Sequence, residues 1–192
     1  ISLKIEEELD VCNILQNSFK DFDGGYALAG MIGHGSSFVA RDPNGIRPLY
    51  YYVNDEVIVG TSETPPIKTA FGCEFDEIKE LKRGNALIVD KLGNYKIEEF
   101  IEPKENKACS FERIYFSRGN DPEIYNERKK LGKLLLPQVF ESINNDLKNT
   151  IFSYIPNTSE TCFYGMIDGI KDYLTAKKKE IFIDKKSFDG NH

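Results

Sequence analysis

Two β-rich runs, residues 37–41 and 48–53, flank the segment Asp42-Pro43-Asn44-Gly45-Ile46-Arg47. Asn-Gly tolerates the positive φ of a tight turn, so this stretch predicts a β-hairpin and commits the first half of the chain to antiparallel sheet. Further turns follow the same logic. Asn54-Asp55 leads into a strand over 57–60, and residues 90–94 lead into another over 95–100. Strands are also predicted at about 26–33, 77–81 and 85–89. Ahead of them, Ile5, Leu9, Cys12, Leu15 and Phe19 recur at helical spacing, which predicts a helix over 4–20. Ser62-Glu63-Thr64-Pro65 reads as a helix start, with a capping hydroxyl and an acid at the positive end of the helix dipole. Residues 1–100 are thus a β meander with flanking helices.

The second half reads differently. A charged connector over 102–107 precedes an extended segment over 109–116. Pro122 opens a long helix in which Ile124, Leu131, Leu134, Val139 and Ile143 form an apolar stripe, with a kink at Pro137. A short buried strand is expected over 150–155, and a helix opened by Thr158 or Ser159 over 158–174. A last strand is expected over 180–183. Such alternation of strand and helix suits a parallel α/β domain.

Composition removes several classes of function. A formal net charge of −6 across 192 residues, with no basic block, lacks the footprint of a nucleic-acid binder. Lys177-Lys178-Lys179 is diluted by Glu180 and Asp184 and reads as a solvated face. Four cysteines (Cys12, Cys73, Cys109, Cys162) without a C-x-x-C pair, and only two histidines, argue against a zinc site or a disulfide framework. No apolar run reaches membrane-spanning length, and the amino end is not a signal peptide, so the expected location is cytoplasmic.

Five motifs fall in one order: Gly24-Gly25-Tyr26-Ala27, Arg41-Asp42-Pro43-Asn44-Gly45-Ile46-Arg47-Pro48-Leu49, Ser62-Glu63, Arg83-Gly84-Asn85-Ala86, and Phe111-Glu112-Arg113-Ile114-Tyr115-Phe116-Ser117-Arg118. Over about residues 20–165 that order resembles the glutamine phosphoribosylpyrophosphate amidotransferases, a family of class II glutamine amidotransferases. The resemblance implies an α+β fold in two parts. Residues 1–108 would be the C-terminal part of an Ntn-type αββα glutaminase. Residues 109–192 would be the junction and the N-terminal part of an α/β phosphoribosyltransferase domain. It also implies the chemistry: ammonia released from glutamine displaces pyrophosphate from phosphoribosyl pyrophosphate (PRPP) with Mg²⁺, giving 5-phosphoribosylamine, the first step of de novo purine biosynthesis.

The family's nucleophilic cysteine, at the first position of its mature chain, has no counterpart in Ile1. The glutamine-binding and oxyanion residues, and the PRPP loop, have no counterpart either. The chain is therefore expected to be a central piece of such an enzyme, inactive alone and prone to self-association through an uncovered sheet edge. Two alternatives stand beside this reading: a non-catalytic binding or regulatory module, and a piece of another class II amidotransferase such as asparagine synthetase.

Several residues carry roles within that frame. The resemblance places Phe111, Tyr115 and Arg118 beside the route by which ammonia crosses between the two sites. Aromatic walls suit it, because water would protonate and dilute the intermediate. Alternation along an extended segment would put Phe111 and Tyr115 on one face. Arg41, Asp42 and Arg47, with Asn44 and Gly45 in the turn, read as a buried ion pair and scaffold, and no histidine accompanies them as a base. Ser62 and Glu63 read as capping, and His34 as a turn histidine. Cys109 stands where some members carry one ligand of a [4Fe–4S] cluster, although a buried free thiol explains it as well. The turn over 156–161 is rich in hydroxyls and is able to present N–H donors to a phosphate; capping also accounts for it. Residues 181–184 imitate the start of a PRPP loop, but Lys185 replaces its second acid.

Overall fold

The computed structural model describes residues 9–157 and 159–189. It divides into two compact units, residues 1–116 and 117–192.

In the first unit, helix α1 (Val11–Phe19) begins at Asp10, whose side chain accepts the Asn13 N–H and caps the orphaned first turn. Three antiparallel hairpins follow. Strands β1 (Ala27–Met31) and β2 (Ser37–Arg41) pair, as do β3 (Tyr50–Val53) and β4 (Ile58–Thr61), and then β6 (Asn85–Val89) and β7 (Tyr95–Glu99). Helix α2 (Thr64–Phe71) and the short β5 (Lys79–Glu80) lie between the second and third hairpins. The hairpins join into two sheets, β1-β2-β6-β7 and β4-β3-β5.

The hairpin expected between residues 37–41 and 48–53 does not exist. β2 pairs with β1 and β6, whereas β3 pairs with β4 and β5. Residues 42–49 are instead a corner carrying the chain from one sheet to the other. The reason lies in the faces of the strands: Tyr50-Tyr51-Tyr52-Val53 is apolar on both sides, which a strand covered on both faces accepts and a half-solvated hairpin does not.

Three cores result, and they give four layers. Val11, Cys12, Leu15 and Phe19 of α1 pack on Ala40, Ala86 and Ile88 of the first sheet. Leu49, Leu81 and Leu87, with Val39, Tyr51 and Ile58, fill the space between the sheets. Tyr52 and Ile78 meet Ile67 of α2 on the outer face of the second sheet. Alternate residues of one strand therefore serve different cores, Ala86 and Ile88 one and Leu87 another.

Of the helix expected over 4–20, residues 4–8 lie outside the described residues. The strand expected over 77–81 contracts to Lys79–Glu80, because Phe75–Glu77 forms a 3₁₀ turn closed by a capping box between Glu74 and Glu77.

The second unit is built from α3 (Pro122–Ser142) and α4 (Ser159–Asp189). Two expected strands fail. Residues 150–155 are irregular, with Ile151 94% exposed. Residues 180–183 continue α4, whose Lys-rich run favours helix over a short apolar strand. Nor does the expected stripe of α3 set its buried face. Ile124, Arg128, Gly132 and Leu136 are buried at four-residue intervals, while Leu131 and Leu134 are exposed. Gly132 admits the close approach of α4, and that decides the face: a Cβ there would lie 1.8 Å from the Cys162 carbonyl oxygen.

Candidate functional site

The corner is organised by one carboxylate. Asp42 is fully buried; its Oδ1 accepts the N–H groups of Asn44 (3.1 Å) and Ile46 (3.0 Å), and its Oδ2 that of Arg47 (3.0 Å). Three charge-assisted hydrogen bonds offset the desolvation of the ion. The same charge, after burial itself, pushes the Tyr26 hydroxyl above the usual tyrosine range.

Arg41 is equally committed. Its Nε donates to the Arg47 carbonyl (2.8 Å), Nη1 to that of Leu81 (2.6 Å) and Nη2 to that of Gly45 (3.4 Å). Its ion-pair partner is Glu80, 2.7 Å away, so the pair expected at this turn links two strands' ends rather than the neighbours Arg41 and Asp42. No local pattern singles out Glu80, because the contact depends on β5 lying beside β3.

From this corner the chain's connector is held in place. Lys104 N–H donates to the Pro43 carbonyl (2.8 Å), Lys107 N–H to that of Asn44 (2.8 Å) and Cys109 N–H to that of Ile46 (3.3 Å). Asn44 adds its side-chain amide to the Glu105 carbonyl (3.0 Å), and the Arg47 guanidinium pairs with Glu112.

Beyond that anchor lies the aromatic segment. It is not the extended segment expected over 109–116 but a π-helical turn over Glu112–Phe116, joined to the connector by the Arg113 N–H on the Cys109 carbonyl (3.4 Å). Phe111 and Tyr115 still share a face, now through helical spacing, with ring centroids 5.4 Å apart. Phe116 closes the group at 6.0 Å from Phe111 and 5.2 Å from Tyr115. All three rings are about 60% exposed (Phe111 62%, Tyr115 58%, Phe116 60%). Arg118 belongs to the second unit.

The remaining candidates scatter. Ser62 is exposed, and the N-cap of α2 is the next residue, Glu63. There the Thr61 hydroxyl, not that of Ser62, accepts the Glu63 N–H (3.2 Å). His34 sits in the β1–β2 turn with Nε2 2.9 Å from the buried Ser36 hydroxyl. In the turn over 156–161, Thr158 lies outside the described residues and the Ser159 hydroxyl donates back to the Ile155 carbonyl. Residues 181–184 are inside α4 and form no loop. Cys109 is a half-buried free thiol. Among the described residues no three His, Cys, Asp or Glu side chains converge to hold a metal ion. Nor is any helix among the described residues long and apolar enough to cross a membrane.

Residues 4–69 match the family model described as a glutamine amidotransferase domain. The amidophosphoribosyltransferase of Lachancea kluyveri is 31% identical over 168 residues, covering 80% of this chain and 32% of that protein. The Bacillus subtilis amidophosphoribosyltransferase is 34% identical over 130 residues, covering 63% of this chain and 25% of that one. In fold, the chain matches the structure of glutamine PRPP amidotransferase from B. subtilis complexed with ADP and GMP. The TM-score is 0.64 at 26% identity, over 85% of this chain and 34% of that one. The chain spans about a third of the length of such relatives. Its four-layered first unit has the Ntn-type arrangement of those enzymes, and by sequence and fold alike the chain is a homologue of the amidophosphoribosyltransferases.

Proposed function

We propose that this chain works as part of an amidophosphoribosyltransferase, a cytoplasmic enzyme forming 5-phosphoribosylamine from PRPP and glutamine-derived ammonia. The observation that carries the reading is the reach of the similarity. A match over 80% of the chain must enter both units, so it includes the aromatic turn and the residues after it as well as the amidotransferase sheets. In this reading residues 1–108 belong to the glutaminase and 109–192 to the junction and the start of the transferase. Mg²⁺ and any [4Fe–4S] cluster would be held largely by residues other than these. The 192 residues alone are inactive. They self-associate through β1, an end strand of its sheet whose Met31 is 83% exposed.

Phe111 and Tyr115 wall the ammonia route, and Arg118 lies at the domain junction. Their anchor is the corner: Arg47 holds Glu112, and the connector is tied to residues 43–46. Neutral ammonia needs a path where it is neither hydrated nor protonated, and clustered rings exclude water. The test is coupling in the enzyme encoded by the complete reading frame. Phe111→Ala is expected to leave glutamine hydrolysis within about twofold of normal, while the phosphoribosylamine formed per glutamine falls at least about fivefold. Synthesis from added ammonium salts should persist. Full coupling in Phe111→Ala and in Tyr115→Phe alike would remove both side chains from the route.

A further inference from the structure

Beside the corner, an open-mouthed cavity of about 510 Å³ is lined by Arg83, Lys82, Asn85, Asn106 and Glu99, with the Arg41–Glu80 pair at its wall. That pair is closed at 2.7 Å, and Arg41 spends its other donors on backbone carbonyls. Lys82 and Arg83 then face a single carboxylate, Glu99, and the lining is net positive.

Arg83 differs from Arg41 in that its guanidinium meets no hydrogen-bond acceptor and no carboxylate among the described residues. Its Nε is nevertheless shielded from solvent. Buried donors are nearly always paired. Nε is as closed to a ligand as it is to water, and the two terminal nitrogens, neither paired nor shut off, are the donors left for an acceptor in the cavity. The backbone beneath it is fixed. Gly84 N–H donates to the carbonyls of Arg41 and Asp42, both at 3.2 Å, and Gly84 takes φ +71°. A Cβ at Gly84 would stand 2.3 Å from the Ile101 carbonyl oxygen, so no other residue fits. Asn85 donates its side-chain amide to the Arg83 carbonyl (3.1 Å), and the Asn106 Oδ1 accepts the Ala108 N–H (3.2 Å), which leaves the Asn106 NH₂ as a donor. A fork of N–H groups on a rigid loop, beside a second cation and an amide donor, is the arrangement that takes an oxyanion.

We propose that this cavity binds a small oxyanion, a phosphate or a carboxylate group, with the Arg83 guanidinium as its principal partner. The site is independent of the ammonia route and of the reaction assigned above. Glu99 opposes the ligand and limits affinity to the millimolar range.

The test follows the Arg83 Nε–H signal of the ¹⁵N-labelled chain by NMR during titration with inorganic phosphate, and separately with acetate, at constant ionic strength. A saturable shift with Kd of about 1–10 mM is expected. Arg83→Gln should weaken binding at least about tenfold, read from the backbone amide of Asn85. Glu99→Gln, at an exposed position, should tighten it about threefold. Saturation by either anion supports the site, and the ratio of the two affinities says which group it takes. Linear drift to about 100 mM with both anions, in a chain whose spectrum is folded, overturns it. Should Arg83→Gln fail to fold, an unchanged affinity in Glu99→Gln overturns it instead.

Discussion

Asp42 shows how much of the corner rests on one side chain. With no exposed surface and three backbone N–H groups directed at its two oxygens, it replaces the hairpin turn that the sequence suggests. Asp42→Ala is expected to lower stability by about 3 kcal/mol or more in urea unfolding, because three donors lose their acceptor inside the protein. Asp42→Asn, which keeps one oxygen, should cost less. Equal stability of the wild type and Asp42→Ala would show that the corner forms without the carboxylate. Cys12 gives a second test at this scale. Burial, and then the nearby Glu98 carboxylate, push its thiol up to about 11 from 9.0. A raised value means that the folded state holds the proton more tightly. This contribution is complete below about pH 9 and is lost as pH rises towards 11. Alkylation of Cys12 in the native chain should therefore lag behind that of the unfolded chain throughout pH 7–9, followed by mass spectrometry of the labelled peptide.

At the scale of elements, turns were legible and partners were not. Asn54-Asp55 and residues 90–94 announced hairpins that exist, because turn chemistry is local. The segment around Asn44-Gly45 carried the same local signal, yet its strands went to different sheets. That choice is made by Leu49, Leu81 and Leu87 meeting between the layers, residues far apart in the chain. The same holds of the site: the Phe111–Tyr115 face was legible from spacing, whereas its π-helical backbone and the Arg47–Glu112 anchor were not. In the second unit, α3 and α4 meet through glycines. A Cβ at Gly165 would stand 1.9 Å from the Lys129 carbonyl oxygen, and the Lys129–Asp168 (2.6 Å) and Lys133–Asp172 (2.9 Å) pairs bracket the seam. In an exposed helix Gly→Ala stabilises by roughly 1 kcal/mol. Here the sign should reverse, with Gly165→Ala losing about 2 kcal/mol or more as the helices are forced apart, measured by thermal unfolding followed by helical circular dichroism.

At the scale of the molecule, the sandwich of the first unit ends on an unpaired strand. β1 has β2 on one side only among the described residues, and its side chains are mostly exposed. Sedimentation velocity over a rising concentration series should resolve species heavier than one chain. Replacing Met31 by Lys, a charge on an open edge, should move the distribution back towards the single chain. A distribution of single chains at every concentration would remove the proposed self-association. The corner also has a consequence in time. Each hairpin closes locally, but Ser37 finds Val89 and Tyr50 finds Glu80 across long stretches of intervening chain, so neither sheet is complete when its first strands have left the ribosome. Until residue 89 emerges, the tyrosine-rich strand and the inner face of the first hairpin wait uncovered, and synthesis of this chain carries an interval of exposure that a meander of simple neighbours would not have.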